Sequence, residues 1–266
     1  MSVPAQPGDA TPPERAARRR LIAEIWIVLG VSLAASALYA VIDLVGKLTA
    51  GPPLAAQTAT VNRSVTPRPY LDLSYQLAGI AVTLVPVVLV VWLLSQPAGD
   101  LVRSGARRIG LDGAAPGRDL LHGAGLAAVI GIPGLAFYLV GRELGITVSV
   151  VASALNAHWW TVPVLILQAV KNAALEEVIV VGYLLTRLQR IGWPTWAAFG
   201  ASAVLRGAYH LYQGFGPFLG NLVMGLVFAE YFRRRRRVMP LVIAHTLLDI
   251  VAFVGYQLFA EVLGLA

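Results

Sequence analysis

The chain reads as an all-α, polytopic membrane helix bundle of about seven transmembrane helices, or eight if an interfacial helix is counted. Three observations predict this. Hydrophobic residues fill 57% of the 266 positions and charged ones 13%, with a mean hydropathy of +0.70; a soluble domain carries roughly 25% charge. The apolar runs are long enough to cross a hydrocarbon core of about 30 Å, which takes roughly 20 helical residues. They also lack the alternation of an outer-membrane barrel strand. Lys and Arg, finally, collect in the gaps between the runs. Membrane topology explains that better than a nucleic-acid partner does, despite the net charge of +7. The absence of Cys removes disulfides, thiol catalysis and Cys-ligated metal.

Residues 1–20 are expected to form a disordered basic tail, Pro/Ala-rich to Pro13 and then carrying Arg15, Arg18, Arg19 and Arg20. The first span, Leu21 to Val45, is too long for the apolar core of a signal peptide and no small-residue cleavage site follows, so it reads as retained. A Pro/Thr/Ala-rich loop, Lys47 to Asp72, leads to the second span, Leu73 to Ser95. The loop from Gln96 to Arg118 holds Arg103, Arg107, Arg108 and Arg118. The third span, Asp119 to Val140, has a kink candidate at Gly131-Ile132-Pro133, and His122 near its start reads as interfacial. Residues 141–160 end in His158, Trp159 and Trp160, an aromatic belt with room for a short interfacial helix. The fourth span is Thr161 to Leu188, the fifth Pro194 to Tyr212, the sixth Phe218 to Phe232 and the seventh Val238 to Leu263. In the sixth, Gly220 and Gly225 permit close helix contact, and Glu230 reads as an interfacial charge beside Arg233.

The basic residues orient this map. Four lie in the tail, four in the second loop, two after the fourth span and five at Arg233 to Arg237, out of 21 in the chain. That bias puts the N-terminus in the cytoplasm and the C-terminus outside, in a multi-pass protein of the inner (plasma) membrane. Its partner is then the lipid bilayer, with no nucleic acid. No internal repeat is visible.

Charges inside the spans are the costly feature. Glu176 and Glu177 sit side by side in the fourth, where an ionised carboxylate costs about 3 kcal/mol by insertion scales. Two adjacent ones repel, so a proton, a cation or a metal must relieve them. Arg206 and His210 in the fifth span, and His245 and Asp249 in the seventh, each share a helix face at i, i+4 spacing. Lys171 is the other basic residue within a span. Carboxylates and imidazoles on three spans suit water activation: a glutamate takes a proton from water and returns it to a leaving amine. The histidines can hold the water, stabilise an oxyanion or, with a carboxylate, bind zinc with a position left open. Asp249 can fix the tautomer of His245. HExxH and GxSxG are both missing, which leaves site-2 and rhomboid-like mechanisms unsupported. The other readings are a helix–helix hydrogen bond, or a proton-coupled transporter using the same groups as a relay.

Glu176-Glu177, then His210, then His245-xxx-Asp249, each on its own span, resembles the CPBP family, the CAAX-protease and bacteriocin-processing (Abi) membrane proteins related to type II CAAX prenyl endopeptidase. The resemblance covers about Trp159 to Leu263. It divides the chain into N-terminal transmembrane helices at 21–142 and a CPBP-like catalytic core at 143–266. The family motifs are EExxxR, FxxxH and HxxxN or HxxxD. What the resemblance implies is an intramembrane metallo-endopeptidase that hydrolyses a peptide bond in a membrane-associated substrate. The implied site is Glu176 as general base, Glu177 as its modulator, and His210 and His245 on water, oxyanion or metal, with Asp249 orienting His245. Glu176, His210 and His245 would be the ligands of a divalent metal such as zinc, although a metal-free glutamate mechanism is also argued for the family. Two positions depart from the pattern: Val181 stands for the motif-one Arg and Arg206 for the motif-two Phe. An arginine so deep needs a partner, so Arg206 is expected to replace the missing cation by pairing with Glu176 or Glu177. The alternative is a catalytically degenerate member serving in bacteriocin immunity or as a membrane scaffold.

Overall fold

The structure, a computed structural model, describes residues 11–96 and 103–259. Residues 1–10 of the expected tail and the end of the seventh span beyond 259 lie outside them.

Helix α1 (Pro12–Gly30) starts inside the stretch expected to be disordered. Its start signal is a capping box: the Thr11 N–H donates to Glu14 Oε2 at 2.7 Å, and Pro12 occupies a first-turn position where its missing N–H costs nothing. The first span is not one helix either. Helix α2 (Leu33–Thr49) follows at a bend of 52°. At the break Ser32 leaves helical geometry, and its hydroxyl donates to the Val28 carbonyl at 2.6 Å, a side-chain bond that competes with the backbone ladder. Where an interfacial helix was expected before Thr161, residues 144–160 instead hold a short strand. Strand β2 (Ser149–Val151) pairs in parallel with β1 (Thr58–Thr60), Thr58 opposite Ser149. The run Thr147-Val148-Ser149-Val150-Val151, β-branched except at Ser149, favours that geometry.

The remaining helices are α3 (Pro69–Ser95), α4 (Arg103–Arg108), α5 (Pro116–Glu143), α6 (Thr161–Glu176), α7 (Leu184–Arg190), α8 (Thr195–Ala208), α9 (Phe215–Arg235) and α10 (Met239–Phe259). Residues Glu177–Tyr183 join α6 to α7 as a π-helical segment. Among the described residues, four helices are long and apolar enough to cross a membrane, or five if the bent pair α1–α2 is one span. The molecule is therefore an all-α bundle with multi-pass membrane character. It stops short of seven such helices because the fourth expected span is interrupted by the π segment. The fifth, at 14 residues, reaches only about 21 Å.

The π segment is the centre of the core. Val178, Ile179, Val180, Val181 and Tyr183 are fully buried, packed with Val90 and Leu94 of α3, Phe199 of α8, Phe228 of α9 and Leu241 of α10. The N-terminal helices thus share one core with the C-terminal ones. Two close approaches bring the site elements together. A Cβ at Gly207 would meet the Phe218 carbonyl oxygen at 2.8 Å, so α8 and α9 touch almost backbone to backbone. A Cβ at Gly225 would meet Ala203 Cα at 3.0 Å and Arg206 Cδ at 3.2 Å, so only glycine leaves room for the arginine there.

Candidate active site

The two glutamates straddle a change of helical geometry. Glu176 is the last residue of α6 and Glu177 the first of the π segment. Single π turns inside α-helices are uncommon and frequently mark functional sites. Neighbours in sequence, the two side chains meet different surroundings. The Glu177 side chain is wholly enclosed, whereas 11% of the Glu176 side chain is exposed.

Glu177 is the hub of a buried charge pair. Its Oε1 accepts from Arg206 Nη2 at 2.6 Å and faces His245 Nδ1 at 2.6 Å, the geometry of an Nδ1–H donor on a carboxylate. Arg206 is fully buried on α8, with its guanidinium 5.4 Å from the centre of the Phe228 ring, a distance at which a cation gains from the aromatic face. Arg206 therefore supplies a cation at the glutamate pair, while Val181 is buried among apolar neighbours. Among the described residues, Glu177 Oε2 and Arg206 Nε and Nη1 have no hydrogen-bond partner. Unsatisfied buried polar atoms of this kind call for an explanation by strain, catalysis or a bound group.

Glu176 holds the accessible side. Its Oε2 accepts from the Tyr209 hydroxyl at 2.8 Å and lies 3.9 Å from both Arg206 Nη1 and His245 Nδ1. His245 Nε2 is 3.6 Å from Asp249 Oδ1, a charge contact rather than a hydrogen bond. Asp249 is itself fixed by Asn172, whose amide donates to its Oδ2 at 3.1 Å. His210 sits just past the end of α8. Its Nδ1 is 3.0 Å from the Arg206 carbonyl, which can only accept, so this nitrogen carries a proton. His210 is within electrostatic range of Glu176 and His245.

Among the described residues, the group whose ligand atoms lie within 4.8 Å of one another is Glu176, Glu177 and His245, all buried. His210 is not in it, so the set differs by one member from the Glu176, His210 and His245 expected of the resemblance. Five of the six predicted site residues form one contact network, and His210 joins it through the Arg206 backbone.

Three participants are given no role in the site by the sequence alone. Asn172 precedes Glu176 by four residues, so i, i+4 spacing alone could have found it. Tyr209 adjoins His210, and no periodicity marks it; only the turn that ends α8 carries its hydroxyl to Glu176. Lys171 begins a polar ladder, donating to Gln168 Oε1 at 2.8 Å, while the Gln168 amide donates to Gln76 Oε1 on α3 at 3.0 Å. Buried amides at one-turn spacing were the available signal.

No curated protein and no solved structure matches the chain. The family model described as Type II CAAX prenyl endopeptidase Rce1-like matches residues 158–251. That stretch begins before α6 and ends within α10, and it takes in Glu176, Glu177, Arg206, His210, His245 and Asp249, so over this part the chain is similar to the CAAX-protease type of membrane endopeptidase.

Proposed function

We propose that the chain is an intramembrane endopeptidase that uses Glu176 as the general base on water. The observation that carries this reading is the asymmetry of the glutamate pair: Glu177 is enclosed and consumed by Arg206 and His245, whereas Glu176, with 11% of its side chain exposed, is hydrogen-bonded by the Tyr209 hydroxyl. In the proposed step Glu176 takes a proton from water as its oxygen bonds to the scissile carbonyl carbon. The carbon becomes tetrahedral, and an N–H of His210 or His245 stabilises the oxyanion. Glu176 then returns its proton to the leaving amine as the C–N bond breaks. Asp249 and Glu177, on either edge of His245, keep that ring in one orientation. General-base catalysis of this type contributes typically 10²- to 10⁴-fold.

The donor set also suits a divalent metal. Two carboxylates and an imidazole are ligands zinc accepts, and the unpartnered Glu177 Oε2 lies among them. Glu176, Glu177 and His245 would hold such an ion, which would act as a Lewis acid on the carbonyl and water.

Within this reading residues 143–266 form the catalytic core and seven segments cross the membrane. Thr161 to Arg190 counts as one interrupted span and α8, about 21 Å long, as a short one. The N-terminus lies in the cytoplasm, and the substrate is a membrane-associated peptide or protein. The test is a comparison of membranes carrying the wild-type chain with membranes carrying Glu176→Gln. A membrane protein shortened only in the wild-type sample, with the new terminus fixed by mass spectrometry, supports the proposal. Identical fragments in both samples would return the glutamates to a structural or proton-carrying role.

A further inference from the structure

The basic end of α9 carries a groove that peptide hydrolysis does not use. It is an open space of about 390 Å³ between α5 and α9. Its inner wall is apolar, made by Leu121, Gly125 and Leu126. Leu121 is 71% exposed, and a Cβ at Gly125 would meet nothing within 4 Å, so the slot is open along the helix. Its outer rim holds Arg234 and Arg235. Between wall and rim, His122 Nδ1 and the Tyr231 hydroxyl form a polar rung at 2.8 Å, with the rings edge to face at 5.9 Å.

The carboxylates near this rim are already engaged. Glu230 takes both Arg233, through two bonds of 2.7 Å, and Arg234. Asp119 takes a two-pronged contact from Arg237, at 2.8 and 2.6 Å. Among the described residues no carboxylate pairs with the exposed Arg235 or Arg118, and both lie within electrostatic range of Tyr231. An apolar slot running along two lipid-facing helices, a polar rung, and uncompensated positive charge at the interface repeat the profile of an anionic phospholipid. A free anion would account for the arginines but not for the slot.

We propose that this groove binds one anionic phospholipid. Its phosphate lies against Arg234, Arg235 and the His122–Tyr231 rung, and one acyl chain runs along Leu121 and Gly125. The experiment is native mass spectrometry of the full chain released from nanodiscs of equimolar phosphatidylglycerol and phosphatidylcholine. One retained phosphatidylglycerol per chain, preferred over phosphatidylcholine, is expected. Each arginine near an anionic surface contributes about a fivefold effect. Arg234→Gln with Arg235→Gln should therefore lower retention roughly 25-fold, while Arg233 keeps Glu230 paired. Gly125→Leu fills the slot without touching a charge and should also lower retention; Leu121→Asn serves the same end if the first variant does not fold. Equal retention of the two lipids would overturn the proposal. So would a loss confined to the arginine variants, which indicates surface charge alone, displacement by inorganic phosphate as effective as by added lipid, or a dimer that covers the groove with a second chain.

Discussion

Arg206 shows how two departures from a family pattern become one arrangement. With Val181 buried in the core, a cation reaches the glutamates from α8 instead, at 2.6 Å from Glu177. Removing one member of a buried ion pair typically costs 3–5 kcal/mol, because the other charge is left unpaired. Arg206→Ala should lower the thermal midpoint of the purified protein and abolish proteolysis, and Arg206→Ala with Val181→Arg should restore part of both. A double variant no better than the single one would mean that the two positions are not interchangeable. Tyr209 offers a milder perturbation. Hydrogen bonds to charged groups are worth about 1.5–3 kcal/mol, so Tyr209→Phe should slow peptide cleavage by about tenfold or more while the protein stays folded. An unchanged rate would remove Tyr209 from the account.

Among the elements, the tight seams decide where the site residues sit. Gly207 lies against Phe218 with no room for a methyl group, and overpacking of this kind costs typically 1–3 kcal/mol. Gly207→Ala should therefore lower stability by about that amount and, by shifting α8, impair activity beyond the loss of fold; a neutral outcome would show the seam can relax. At the basic end, Arg237 of the α9–α10 turn clamps Asp119 and Asp112. The Ala114 N–H, and then Arg237, hold the Asp112 carboxyl below the usual carboxylate range. A depressed folded-state pKa gives stability that is present above the ordinary value near 4 and lost as pH falls through the depressed one. Arg237→Ala should lower the thermal midpoint at pH 7, and the gap to wild type should narrow below about pH 4. A gap independent of pH would assign the clamp to packing.

Over the whole molecule, most helices were legible because long apolar runs and the gaps between them are set by composition. The interior glutamates, histidines and Arg206 stood out because charge is rare there. What was hidden depended on geometry that periodicity does not encode. Nothing in Glu177-Val178-Ile179-Val180-Val181-Gly182-Tyr183 announces a π-helical segment. The parallel pairing of Thr58–Thr60 with Ser149–Val151 joins loops about 90 residues apart, a separation no local signal reports. The helix start at Thr11–Glu14, by contrast, was written in the sequence as Pro after a capping Thr, but it lies at the end of a Pro/Ala-rich stretch whose composition favours disorder. The division of labour between the glutamates was also invisible, since two adjacent Glu residues look identical in sequence.

That division is the central claim, and one paired measurement tests it: cleavage rate and thermal midpoint of Glu176→Gln and Glu177→Gln in the same nanodiscs. Glu176→Gln should lose activity by about 100-fold or more with its midpoint near that of wild type. Glu177→Gln should lose stability first, because Arg206 and His245 are left without their carboxylate. Full activity in Glu176→Gln, or a collapse of stability in that variant while Glu177→Gln stays stable, would contradict the assignment of base and hub.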